Sequence, residues 1–194
     1  MSTAVMMERI ADASPRFKAR MAGFFWLMTV LAGTLALVLR LGVAANLIAS
    51  ACYVAATLLV YQLLKPVNRS LSLIAAISSL LGCAIGALSG LFHLGLGGAH
   101  FVFFGLHCLL IGYLILRSTF LPGTLGTLMV SSGLGWLTYS LSNLLLSPPL
   151  ARGLSPYVMA LGILGEVVLT VWLLVVGVNV QRWKEQAGST GRYQ

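Results

Sequence analysis

Of the four acidic residues in this chain, Glu8, Asp12, Glu166 and Glu185, only Glu166 interrupts an otherwise uncharged apolar stretch. A carboxylate placed centrally in hydrocarbon costs roughly 2.5 kcal/mol or more. Glu166 is therefore expected to face other protein, and to be either protonated or paired. No Lys or Arg falls within the long apolar stretches, which leaves His107 as the candidate cation at similar depth. A His–Glu contact would suit proton relay, general acid–base work or metal ligation. It would equally suit a neutral bond that merely joins two helices.

His93 and His100 are the remaining histidines. His100 precedes His107 by one heptad and so shares its helix face. Together the three are candidates for a metal or haem site, although His93 belongs at the membrane rim and His107 deeper. Two rim-seeking imidazoles and one buried one need no cofactor, and none is assigned. Cys52, Cys83 and Cys108 lie in apolar stretches without a C-x-x-C pair and read as small packing residues. There is no H-E-x-x-H and no phosphate-binding glycine loop. Ala87-Leu88-Ser89-Gly90 only approximates the G-x-S-G serine of six-span intramembrane proteases, and the last span offers no histidine to serve it.

These side chains must be positioned by membrane helices. The sequence is 59% hydrophobic and 8% charged, where a soluble domain carries roughly 25% charge. Uncharged intervals of 19 residues (Arg20 to Arg40), 24 (Arg40 to Lys65) and 47 (Arg69 to Arg117) separate the bases. About 20 apolar residues cross a bilayer, so the longest interval holds two spans. The expected architecture is an all-α polytopic bundle of about six transmembrane helices, near 21–39, 43–64, 71–92, 100–116, 124–146 and 156–178. A basic cytoplasmic segment (1–20) precedes them and a cytoplasmic tail (179–194) follows. The first apolar run is longer than the roughly 7–15 residues of a signal peptide, so it is read as a retained span. Turns are expected at Lys65-Pro66, across Leu94 to Gly98, at Leu121-Pro122 and over Ser147 to Gly153, with Gln181 to Glu185 continuing the sixth helix. Ten bases then fall on one side and two, Arg40 and Arg152, on the other. The positive-inside rule places both termini in the cytoplasm. Bases spread over segment ends do not form the basic face that nucleic acid needs.

Residues three and four apart stack on one helix face. Asn46, Ser50, Tyr53, Thr57 and Tyr61 form such a polar stripe on span two, and Ser132, Gly135, Tyr139 and Ser142, with Asn143 beside it, another on span five. Both are candidates to line a cavity. Ser79, Gly82, Gly86, Ser89 and His93 on span three read instead as a close-packing seam, with Gly82, Gly86 and Gly90 at G-x-x-x-G spacing. Gly162, Glu166 and Thr170 share a face of span six.

Three segments, LVYQLLKPVNRSLSLIAA (59–76), FFGLHCLLIGYLILRSTFLPGTLG (103–126) and GILGEVVLTVWLLVVGVNVQRWKEQ (162–186), together resemble a bacterial membrane-protein family known as domain of unknown function 4386. The resemblance extends from about residue 18 to 187. It implies a basic residue after the proline of the F-L-P turn, where this sequence has Gly123. It implies no activity, cofactor or ligand.

Three functions follow as expectations. The first is a protein that binds or moves a proton, cation or small polar ligand through an intramembrane polar cavity, using Glu166, His107, Asn143, Tyr139 and Tyr53. The second is an intramembrane enzyme acting on lipid or isoprenoid with a His–Glu pair, which lacks the clustered acids that would hold phosphate-bridging metal. The third is a structural or accessory subunit without a ligand. The expected location is the bacterial cytoplasmic membrane, with the lipid bilayer as partner, a homodimer as the expected assembly of so small a transport-type protein, and no nucleic acid.

Overall fold

The computed structural model describes residues 14–38, 42–92 and 98–190. His93 and Arg40, and with them the turns read around both, lie outside the described residues, as do Glu8 and Asp12. Among those described, the chain is all-helical: α1 (Pro15–Val38), α2 (Gly42–Leu64), α3 (Arg69–Phe92), α4 (His100–Arg117), α5 (Gly123–Leu145), α6 (Pro148–Val175) and α7 (Val180–Thr190). Four of them, α2, α3, α4 and α6, are long and apolar enough to cross a membrane. In length α1 and α5 match them, with 24 and 23 residues. Serine, threonine and glycine throughout α5 dilute its hydropathy, and the three bases of α1 all precede its uncharged run from Met21 to Val38.

Helix starts follow local chemistry. Asn68 Oδ1 accepts from the Leu71 amide at 2.9 Å, Asn179 Oδ1 from Arg182 at 3.1 Å and Ser14 Oγ from Phe17 at 3.3 Å. Each is a side-chain cap on amides that the helix itself leaves unbonded. One such start falls earlier than expected: α1 begins at Pro15, so Arg16, Lys18 and Arg20 are helical.

Two further boundaries differ from the sequence reading. The stretch read as the Ser147–Gly153 loop is helix from Pro148 onward, because Pro148 and Pro149 occupy the first turn, where no amide donor is needed. At the other end, Gln181 to Glu185 do not continue α6. Gly177 takes φ +77°, Val176 and Gly177 both donate to the Trp172 carbonyl at 2.9 Å, and the chain turns before starting α7.

Each of α1 to α6 packs on the helix before and after it, and α6 packs back on α1, so the six form a ring in chain order. Backbones approach closely between α4 and α5. A methyl built on Gly112 would lie 2.8 Å from the Gly126 carbonyl oxygen, and one on Gly133 would lie 2.8 Å from that of Gly105. Gly105 and Gly112, like Gly126 and Gly133, are seven apart, so two matched pairs zip the antiparallel helices. Gly135 meets Gly162 in the same way between α5 and α6, and Gly23 meets Thr170 and Leu174 between α1 and α6.

The ring encloses polar side chains among an apolar core, and its outer surface is apolar. Thr57, Ser79, His107, Ser132 and Thr170 are buried, while Ile48, Ile74, Leu88, Leu134 and Val171 are exposed. Water would not favour so many large apolar side chains on the outside; a hydrocarbon surround permits them. α7 lies across the end that carries Lys65, Arg69 and Arg117. There Trp183 Nε1 donates to the Leu63 carbonyl at 2.8 Å, and Gln186 Oε1 accepts from the backbone and hydroxyl of Thr119 at 3.0 and 3.1 Å.

Candidate functional site

Glu166 extends from α6 into the ring, roughly 14 Å of helix from the α6 C-terminus. Its partners come from three other helices. Trp136 Nε1 of α5 donates to Oε1 at 2.7 Å, Cys108 Sγ of α4 donates to the same oxygen at 3.4 Å, and Trp26 Nε1 of α1 donates to Oε2 at 3.3 Å. All three are buried and all are neutral. Hydrogen bonds to a charged group contribute roughly 1.5–3 kcal/mol each, so two indoles and a thiol offset the cost of placing a carboxylate here. Glu166 itself is only half-buried, because part of its surface is the wall of a cavity.

That cavity, about 320 Å³, is partly open and is bounded by α1 to α6. Asn46, Gly90 and His100 line it at the end away from α7, and Tyr53, Trp136 and Glu166 line its depth. Most of the remaining wall is aromatic or small. The Tyr53 ring meets Phe104 edge-on at 5.0 Å, and Phe101 stacks on Trp136 at 4.8 Å with planes 12° apart. Two buried polar atoms among its lining residues, the Tyr53 hydroxyl and His100 Nδ1, have no hydrogen-bond partner.

His107 is 1% exposed and does not line this cavity. Its Nδ1 donates to the Ala75 carbonyl at 2.8 Å, which fixes that nitrogen as the protonated one and leaves Nε2 as an acceptor without a partner. His107 and Ser72, whose hydroxyl also lacks a partner, line a separate void of about 10 Å³, at the lower limit for one water. The bond that sequence depth suggested between His107 and Glu166 is not formed. Trp26 and Tyr53 stand between the two functions, their rings 6.3 and 5.9 Å from the imidazole, while Trp26 also holds the carboxylate.

The polar stripes divide differently from their sequence reading. On α2, Asn46, Ser50 and Tyr53 line the cavity, and Thr57, which shares a 2.7 Å hydroxyl contact with Ser79, lines the small void with Tyr61. The α5 stripe is packing. Ser132 accepts from the Gly165 amide at 3.1 Å, Gly135 lies on Gly162, and Tyr139 packs on Phe101 at 5.0 Å outside the cavity lining. Asn143 is exposed and donates to the Tyr139 carbonyl of its own helix at 2.8 Å. The reverse holds on α3, where a methyl on Gly90 would meet nothing within 4 Å and Gly86 meets only His100 at 3.6 Å. Gly86 and Gly90 therefore leave room for the cavity, while Gly82, where a methyl would lie 3.3 Å from the His100 carbonyl oxygen, closes the α3–α4 seam as its spacing suggested. Among the described residues no three of His, Cys, Asp and Glu cluster as metal ligands. Trp26, Trp136 and Cys108 were missed in the sequence, where an indole or thiol in an apolar run is indistinguishable from core.

The family model described as domain of unknown function (DUF4386) matches residues 29–98 and 98–177. The chain belongs to this family. The matched segments take in Cys108, Trp136 and Glu166 and leave out Trp26, so three of the four members of the carboxylate cluster fall within the DUF4386 match. The chain is also similar to an uncharacterized protein of Archaeoglobus fulgidus, 28% identical over 131 residues that cover 60% of this chain and 72% of the relative. No solved structure matches.

Proposed function

We propose that this DUF4386 protein crosses the cytoplasmic membrane of a bacterium six times, both termini inside, and binds a small polar or charged ligand in the cavity at Glu166. The observation that carries the reading is a carboxylate in the centre of a helix ring, held by neutral donors from three helices and bordering a cavity. A carboxylate that served only to join helices would be enclosed by its partners. This one keeps part of its surface toward the space, beside a tyrosine hydroxyl without a partner. The six-span topology is supported by the closed ring, by apolar side chains on its outer surface, and by Lys65, Arg69, Arg117 and α7 at one end.

The cavity contains its own reporter, because Trp136 both lines it and bonds Glu166. Purified protein in detergent is titrated with a panel of amines, alcohols, carboxylates and inorganic ions, following tryptophan fluorescence and thermal unfolding. At least one class is expected to change the emission and raise the unfolding temperature, and Glu166→Gln is expected to abolish that response while keeping the helical circular dichroism. A panel to which wild type and Glu166→Gln are equally silent would favour a protein without a ligand. The enzymatic reading, with His107 and Glu166 as acid and base, has no joined pair to support it.

A further inference from the structure

The cavity narrows the ligand class further, and the inference rests on the binding reading above. Glu166 has acceptor oxygens and no cation among its hydrogen-bond partners: its bonds come from two indoles and a thiol. The charge that would balance it must come from a proton or from what occupies the cavity. A bare metal ion needs several oxygen ligands, and the lining around Glu166 supplies few. Instead the neighbouring wall presents rings: Tyr53 edge-on to Phe104, and Phe101 stacked on Trp136. Aromatic faces beside a carboxylate are the environment that holds an ammonium group carrying its own hydrocarbon, through attraction to the ring quadrupoles and to the charge together.

The Tyr53 hydroxyl and His100 Nδ1 are buried and without partners. Tyr53 is 7% exposed, and both residues line the cavity that Glu166 borders. Each is a hydrogen-bonding position in the cavity wall that the protein itself leaves unmet. Glycine at positions 86 and 90 leaves the α3 wall of the cavity clear of side chains.

We propose that the cavity binds a small organic cation, an alkylated or quaternary ammonium of choline size, with its charge at Glu166 and its carbon shell against Tyr53, Phe104 and Trp136. The test compares choline and tetramethylammonium with dimethylbutanol, the uncharged isostere of choline in which carbon replaces nitrogen, and with benzoate and potassium, by tryptophan fluorescence on the full chain. The cations are expected to bind at least about tenfold tighter than the isostere. Glu166→Gln should erase that preference, and Phe104→Leu should weaken cation binding several-fold while leaving the isostere unchanged. Because the comparison of cation with isostere is made on wild-type protein, it stands even where a variant fails to fold. Equal binding of isostere and cation, preference for benzoate, or displacement of choline by equimolar potassium would each overturn the organic-cation assignment while leaving a ligand-binding cavity in place. Silence toward these probes and toward every compound of the broader panel would overturn both.

Discussion

Glu166 is held by bonds of unequal quality, and that inequality is testable one residue at a time. The 2.7 Å bond from Trp136 is short for an N–H donor and the 3.3 Å bond from Trp26 long. Trp136→Phe keeps most of the ring and removes the donor, so it should lower stability by about 1.5–3 kcal/mol, with Trp26→Phe costing less, as read by thermal unfolding in detergent. Cys108→Ser keeps a donor and should be milder than Cys108→Val, which is close in size but leaves the oxygen with one bond fewer. Asn143→Ala, on the exposed side of α5, should leave ligand binding within about twofold. Of this cluster only Glu166 was legible in the sequence, because a charge stands out against hydrocarbon and an indole does not. His107 stood out for the same reason, yet its ring bonds a backbone carbonyl instead of the acid. Depth along a helix fixes height and says nothing about which way around the ring a side chain points.

The helices themselves were largely legible, since charge-free intervals and a span's length leave little freedom. Their faces were less so. Small residues at helical spacing occur on α3, α4, α5 and α6, and spacing alone does not distinguish a glycine that admits a backbone from one that makes room for a cavity. The structure separates them, and substitution should follow. Gly112→Ala places a methyl 2.8 Å from backbone oxygen of α5, where no side chain can swing aside, and should cost about 1–3 kcal/mol. Gly90→Ala meets nothing within 4 Å and should be neutral or slightly stabilising, since alanine favours the helix by roughly 1 kcal/mol over glycine. Unfolding temperatures of the two variants, side by side with wild type, check the contrast. Gly177→Ala falls between them: its methyl would lie 3.2 Å from the Arg16 side chain, which can yield, but it forces a side chain into the left-handed region, a strain of roughly 1–2 kcal/mol.

The whole molecule joins its first and last long helices, an arrangement no local pattern announces, because the closure of α6 on α1 depends on contacts distant in sequence. The long apolar helices agree with a membrane bundle, and the proposed orientation rests on where the bases fall. Reporter fusions at Ser2, after Asn68 and after Gln194 should share one side of the membrane, and a fusion within Ser147 to Gly153 should report the other. α7 belongs to this scale too. Trp183→Ala should free the end of α2 from α7 and increase proteolytic cutting after Asn179 without changing ligand affinity at the far end of the ring, a separation that limited proteolysis and fluorescence titration can read together. The carboxylate cluster has a mechanical meaning at the same scale. Four helices, α1, α4, α5 and α6, converge on two oxygen atoms, like spokes pinned at one hub. The indoles and the thiol take three of the roughly four acceptor positions those oxygens offer, so a proton or guest at the remaining one meets all four helices at once. A few atoms at the centre thus tie the first helix to the middle ones, so whatever fills the cavity is felt by helices that are far apart in the chain.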